Sequence, residues 1–448
     1  MAAVLSLLLF PGCFLLTEGD LAARLEGGRA RADTATDSDA DSDTDADVDA
    51  DTDADADSDT DTGVTPDPTW YADSDGDGSG NPANAVKAAE QPEGYVANAW
   101  DCDDDLAAEP VWVTEGDSTG SNGTMAQPYP SVQAGLQAAL KCVRIRAGVY
   151  NENVNTIGKN PDILGVDGAS ITKIVGTSQA PTLIVWGTEH VHLTGVTLSG
   201  GLGELSSESE PYYVGGGILL ANSTLTLKDV TVSGNSASSG GGIISTDSTL
   251  DMVDVRIVGN TARDGAGIEQ IGGTLTGSRV NLSGNTGDFA SAMYIDGGAT
   301  TFTNLIMNAN RGSLAVDGID ARNAEITVSN ATFVDEDTAI YAESSSLSVS
   351  GGIFTEVSYA AFLANPGAVS VTYSDAPDDA WAGFKIGTGK GNISDDPGLT
   401  LLNADGEWSD DDLHLGVGSA CIDAGDPTGL DEDGSRLDIG AYAGTVDW

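Results

Sequence analysis

The chain has 448 residues, 40% of them hydrophobic and 20% charged, and its 70 acidic against 18 basic residues leave a formal net charge of -52. So negative a surface repels phosphate backbones instead of neutralising them, which excludes nucleic acid as a partner. The excess is not confined to one tract: from Val111 onward 42 acidic residues still face 14 basic ones, and divalent cations are the natural counter-ions.

The first residues, MAAVLSLLLFPGC, form a short apolar run that ends in Pro-Gly-Cys and gives way to polar sequence. This run resembles a bacterial lipoprotein signal with Cys13 as the lipidated residue, although Phe10 stands where leucine is usual and a basic leader is missing. Residues 1–20 are therefore read as an anchor region. The protein is expected to be exported, as an outer-membrane or cell-surface lipoprotein or otherwise secreted. Membrane contact is expected only through the lipid, because no later segment is apolar enough to span a bilayer. From Asp37 to Asp61 every second residue is aspartate. Like charges at alternate positions hold such a chain extended and coreless, so 21–68 reads as a disordered acidic linker.

Residues 69–110 change character, because aromatic residues now bracket the carboxylates. Asp73, Asp75 and Asp77 followed by Gly78 reproduce the first half of an EF-hand-type loop, in which oxygens at alternate positions converge and glycine makes the turn. Asn84 stands where that loop would carry a bidentate glutamate. The missing oxygens are expected from a second cluster, Asp101, Asp103, Asp104 and Asp105, so that two half-sites make one structural Ca2+ module. The segment, from Trp-Tyr-Ala-Asp-Ser-Asp-Gly-Asp-Gly through Pro-Glu-Gly-Tyr-Val-Ala-Asn to Asp-Cys-Asp-Asp, resembles the metal-binding motif shared by many myxobacterial surface proteins and MopE-type proteins. The cysteine usual in that motif before Pro-x-Gly-Tyr is absent here. Cys102, Cys142 and Cys421 leave an odd number, and their pairing stays open; Cys102 with Cys142 is the pair expected to close, since both flank the start of the next domain.

From Val111 to the end the chain is read as one domain. PYPSVQAGLQAAL, residues 128–140, has helical apolar spacing and resembles the N-terminal cap of pectate-lyase-like β-helices. Rows of sequence then recur every 25 residues, starting at Gly215, Gly240, Gly265 and, in degenerate form, Ala290. Within them, pairs such as Leu225/Leu227, Val230/Val232, Leu250/Met252 and Val255/Ile257 describe short strands with alternate residues turned inward. No row buries that face alone; stacked coils bury it continuously. The fold class is therefore all-β, a right-handed single-stranded parallel β-helix with an N-terminal helical cap. Asn235, Asn260, Asn285 and Asn310 fall in one column, read as amides that satisfy turn backbone and stack on one another. The end, LHLGVGSACIDAGDPTGLDEDGSRLDIGAYAG, resembles the terminal motif of bacterial surface β-helix proteins and is read as a C-terminal closure.

No catalytic residues are assigned. Lyase or hydrolase chemistry needs a base and a charge stabiliser grouped on one face, and Lys228, Arg256, Arg263, Arg279 and Arg311 fall in different columns. The candidate ligand patch is Trp186, His190 and His192 together with an insertion carrying Glu204, Glu208, Glu210, Tyr212 and Tyr213, since insertions in solenoids gather at binding faces. The expectation is a monomeric, non-catalytic surface protein that binds a polysaccharide or a surface protein. Its rival is a carbohydrate-active enzyme resembling polysaccharide lyases and acting on uronate glycans.

Overall fold

The computed structural model describes residues 67–448, apart from Asp77, 103–109, 117–118, 178–179, 206–212, 314–315, 378–380, 383–388, 404–406, 432 and 444–448. Cys13 and the acidic linker up to 66 lie outside the described residues. A small antiparallel sheet comes first, with Thr69–Ala72 between Ala85–Lys87 and Tyr95–Val96.

Two long parallel sheets follow and make the domain a β-solenoid. In the first, ten-residue strands stack in register: His190–Ser199, Thr224–Ser233, Thr249–Val258, Thr274–Ser283, Ala299–Asn308, Glu325–Val334 and Ser346–Thr355. The second stacks shorter strands, among them Leu183–Trp186, Ile218–Ala221, Ile243–Thr246, Ile268–Ile271, Met293–Asp296, Ile319–Arg322, Thr338–Glu343 and Tyr359–Ala364. The period of 25 puts Leu225 beside Leu250 and Leu275, and Val230 beside Val255 and Val280, so inward columns run the length of one core. Where a column lacks a side chain its neighbour compensates: a Cβ on Gly277 would lie 2.4 Å from Phe302, whose ring fills that space.

Each ten-residue strand bends at one position held at positive φ: Gly195, Asp229, Asp254, Arg279, Asn304, Asn330 and Gly351. Glycine, asparagine and aspartate tolerate that conformation best. Arg279 is the exception, and its guanidinium grips Asp254 of the previous coil through two bonds of 2.5 and 2.9 Å. At the next corner the asparagine column forms a hydrogen-bonded ladder. Asn235, Asn260 and Asn285 donate through Nδ2 to the Oδ1 of the following rung at 3.0, 3.1 and 3.0 Å, and their backbone N–H groups use the same acceptors. All four amides are buried.

The cap helix, Val132–Ala138, buries Val132, Gly135 and Leu136 in the core end. Its first N–H groups, on Val132 and Gln133, are met by the Glu152 carboxylate at 2.7 and 3.0 Å, and Lys159 Nζ donates to the carbonyls of Leu136, Gln137 and Ala139 at 2.7, 2.8 and 2.9 Å. Cys102 is disulfide-bonded to Cys142, tying the small module to the first coil, while Cys421 is free and buried. Arg144, 1% exposed, completes that junction. Its Nε donates to the Trp100 carbonyl at 2.5 Å and its Nη1 to Asp162 at 2.7 Å. These acceptors compensate the burial of its charge.

The C-terminal segment folds back along the outside of the first sheet. Leu413 and Ala441 pack on Ile306 and Val334, and Cys421 and Ile439 pack on Ile353. Asn304 Nδ2 donates to the Ala441 carbonyl at 2.6 Å, and the Ala441 N–H donates to Thr332 Oγ1 at 3.0 Å. The closure expected from the sequence is therefore a strap over a flank. Among the described residues no helix is long and apolar enough to cross a membrane.

Candidate functional site

Trp186, His190 and His192 are all exposed, but they stand on different sheets. Trp186 ends a strand of the second sheet and projects from its outer face, because Leu183 and Val185 occupy the core. His190 and His192 project from the outer face of the first sheet, with Val191 and Leu193 inward. Gly187 and Thr188, at φ 91° and 71°, turn the corner between them. Glu204 and Tyr213 belong to a short hairpin in which Glu204 pairs with Val214 and Leu205 with Tyr213. Glu208, Glu210 and Tyr212 lie outside the described residues. Val214 packs on Leu219, Ala221 and Ile244, so the end of the hairpin rests on the outer face of the second sheet there. A groove of about 350 Å3 passes His190 along the corner, lined by Asn222, Thr224, Asp247 and Thr249 among others. Its serines serve the turns themselves: Ser223 accepts the Glu189 N–H at 3.2 Å, and Ser248 accepts the Ser223 N–H at 3.1 Å.

In the small module, Asp73 Oδ1 accepts the Gly76 N–H at 2.9 Å and its Oδ2 accepts the Gly78 N–H at 3.2 Å, which closes the acidic loop. The Asp101 N–H donates to the Gly80 carbonyl at 3.1 Å, and Asn98 bridges to both Gly78 and Gly80. Asp73, Asp75 and Asp101 are thus on two segments that the backbone holds side by side, Asp101 being buried. Asp77, Asp103, Asp104 and Asp105 lie outside the described residues. Near the C-terminus, Asp423, Asp431 and Asp438 bring carboxylate oxygens within 4.8 Å of one another, and the Asp423 N–H donates to Asp438 at 2.8 Å.

A further gathering of ionisable and aromatic side chains lies on the outer face of the second sheet. In register along one outward column stand Ile184, Leu219, Ile244, Glu269, Tyr294, Asp320, Tyr341 and Phe362. Beside it run Trp186, Ala221, Thr246, Ile271, Asp296, Arg322, Glu343 and Ala364. In the first column Ile184, Leu219 and Ile244 are aliphatic and belong to one cluster with Val214; from Glu269 on the column turns acidic and aromatic. Arg322 pairs with Asp320 at 3.2 Å, reaches Glu343 at 4.0 Å and lies 5.7 Å from the Tyr294 ring centre. Tyr341 stacks on Phe362 with centroids 5.7 Å apart, and Tyr359 meets Phe362 edge-on at 6.4 Å. Burial first, and then the charge of Asp264, push the Glu269 carboxyl up to about 8. Burial likewise raises Asp264, against the opposing hydrogen bond from Arg263.

This column escaped the sequence reading, although a signal was present. Aligning GGGILL, GGGIIS, GAGIEQ and ASAMYI places Leu219, Ile244, Glu269 and Tyr294 at one position, and the switch from aliphatic to acidic marks where the covered face ends.

No family model matches the chain, and no curated protein matches it. Among solved structures, pectate lyase Pel9A is similar at 13% identity with a TM-score of 0.33, over 75% of this chain and 96% of that one. A pectin methylesterase from carrot matches at 13% identity and a TM-score of 0.28, over 64% of this chain and 89% of its own. The catalytic domain of a GH87 α-1,3-glucanase in complex with tetrasaccharides matches at 13% identity and a TM-score of 0.24, over 64% and 73%.

Proposed function

We propose that this chain is an exported, non-catalytic surface protein whose solenoid presents the outer face of its second sheet to a glycan, with a calcium-stabilised module ahead of it. The observation that carries the reading is the line from Glu269 to Phe362, where ionisable groups and aromatic rings share one face in successive coils. A sugar offers both complements, hydroxyls for carboxylates and apolar ring faces for tyrosine and phenylalanine, and a repeating ligand suits a repeating face. Export is supported by the Cys102–Cys142 bond, since disulfides persist in oxidising compartments.

The non-catalytic part is supported by how the flanking cations are engaged. Lyase chemistry needs an available base beside its substrate, yet of the cations flanking this face Arg263 pairs with Asp264, Arg311 with Asp335 and Arg322 with Asp320. The calcium part is supported by donor chemistry. Asp73, Asp75 and Asp101, with Asp77, Asp103, Asp104 and Asp105 as further donors, supply only the hard oxygens that Ca2+ prefers.

Calorimetric titration of the purified chain with a panel of neutral, basic and acidic polysaccharides tests the reading. Binding to at least one of them, weakened in Tyr341→Ala, is the expected result. Turnover of a uronate polysaccharide, seen as ultraviolet absorbance from unsaturated ends, would put the lyase in its place.

A further inference from the structure

One strip along the outside of the first sheet reverses the charge of the chain as a whole. Past the positive-φ bend an outward column runs in register through Lys173, Thr197, Thr231, Arg256, Asn281 and Ile306. Lys228 stands just ahead of the bend, on the strand that carries Thr231, so the bend brings together cations that the repeat assigns to different columns. Lys228 and Arg256 both act on the carboxyls at the bend. The Arg279 hydrogen bond lowers the pKa of Asp254 and these two cations reinforce it, whereas burial raises Asp229 against them. Lys173, Lys228 and Arg256 are exposed, and among the described residues none of the three has an ion pair or a hydrogen-bonded side chain. With Arg279 they outnumber Asp229 and Asp254, on a chain whose formal charge is -52.

From Ile306 on, the same strip is occupied by the strap: Leu413 and Ala441 pack on Ile306, and Asn304 at the bend donates to the Ala441 carbonyl at 2.6 Å. In the coils ahead of it Lys173, Lys228 and Arg256 stay exposed along the same contour. We propose that this open part of the strip is a second binding site, separate from the face of the second sheet, and that it takes an acidic polysaccharide. Lys173, Lys228 and Arg256 receive carboxylate or sulfate groups, and Thr231 and the Asn281 amide meet sugar hydroxyls. Lys173 and Arg256 stand three strand spacings apart, about 14 Å, a span comparable with three sugar units in sequence. The acidity of the remaining surface does not forbid this, because at physiological ionic strength charges more than about 8 Å away are largely screened. A single glycan chain can keep within that distance of the strip. A nucleic-acid duplex, with its dense charge on a broad surface, cannot.

The test is calorimetry on the full chain, with calcium chelated so that no bridging ion contributes, and with three probes: a galacturonate hexamer, a sulfated glucose hexamer and a plain glucose hexamer. At least one acidic hexamer is expected to bind about tenfold more tightly than the plain one and to weaken as salt is raised, and a preference between the two names the anionic group. Lys228→Ala with Arg256→Ala, both at exposed sites, is expected to lose about tenfold for the acidic hexamer and to leave the plain hexamer unchanged. Lys87→Ala, an exposed cation of the small module, removes charge away from the strip and is expected to change nothing. Tyr341→Ala, which tests the second sheet, is expected to leave the acidic hexamer's salt-dependent binding in place. Acidic hexamers that bind no better than the plain one, indifference to the double substitution, or an equal loss in Lys87→Ala overturns the site. None of these outcomes touches the reading of the second sheet, which stands or falls with Tyr341→Ala.

Discussion

Glu336 terminates the asparagine ladder: its Oε1 accepts both the backbone N–H of Asn310, at 3.2 Å, and the Asn310 Nδ2, at 2.8 Å. A carboxyl thus takes the place of the amide that the column would otherwise continue. Its Oε2 meets no partner among the described residues, and the whole side chain is 1% exposed. Burial raises its pKa well above the ordinary carboxyl range. Both the ladder and its end have measurable consequences.

Asn285→Ala removes the acceptor of two Asn260 donors and leaves the Ile257 carbonyl and Asn310 Oδ1 without that amide. The loss is expected to be about 2–4 kcal/mol in urea unfolding, because buried groups are stranded on both sides. Thr226→Ala, at a half-buried outward site, is the control. Equal losses in the two variants would refute a structural role for the ladder.

Stability is expected to fall as pH rises from about 4.5 to beyond 8. Glu269 is raised to about 8 and Glu336 also lies above its ordinary value, chiefly through burial. A group whose folded pKa exceeds its unfolded one contributes its full stabilisation below the unfolded value and loses it as pH passes the folded value. Glu336→Gln keeps the acceptor for Asn310 and has nothing to ionise. Its melting temperature, followed by circular dichroism, should therefore decline less steeply across this range than that of wild type; parallel curves would contradict the assignment.

Leu227→Asp or Val255→Asp, each placing a carboxylate in a fully buried column, should cost more than 4 kcal/mol and abolish cooperative folding. Thr226→Asp, in the adjacent outward position beside Asp251, should stay within about 1 kcal/mol of wild type. Circular dichroism melts distinguish the two classes.

Opening the Cys102–Cys142 bond, across 40 residues, is expected to cost about 2–4 kcal/mol. Loss should begin at the small module, since Trp100 meets Trp112 at 4.9 Å only while that junction holds. Tryptophan fluorescence of Cys142→Ala should therefore change at lower denaturant than its circular dichroism. Coincident transitions would show that the module and solenoid separate only on global unfolding.

Calcium is expected to bind the module with a Kd on the order of 10⁻⁴ to 10⁻³ M, the range of extracellular sites, because Asn84 stands where a bidentate glutamate would be. Asp75→Ala should abolish the calcium-dependent rise in melting temperature. An unchanged rise in that variant would remove Asp75 from the ligand set.

The solenoid was legible because one period controls everything inward: Leu225, Leu250 and Leu275 announce a column without any knowledge of the corners. The face from Glu269 to Phe362 was harder to read. Ile218–Ala221 and Ile243–Thr246 are buried at every position, so no alternation of polarity marks which side chains point outward there. Val214 packs on Leu219, Ala221 and Ile244 there, and that packing is a tertiary fact. That Trp186 and His190 stand on different sheets was hidden for the opposite reason. They are four residues apart in sequence, yet two consecutive positive-φ residues between them change the sheet to which the chain belongs. The C-terminal strap also resisted prediction, since Asn304 and Ala441 meet across 137 residues.

The strap also orders events in time. Leu413, Ile439 and Ala441 can dock only on coils already wound, because Ile306, Val334 and Ile353 come together only when successive strands have paired. The strap, made after the coils it packs on, therefore seals an apolar stripe that a nascent chain ending ahead of it leaves uncovered. A stop codon between Ile393 and Leu413 would leave the stacked strands intact and the flank sticky, a molecule prone to self-association.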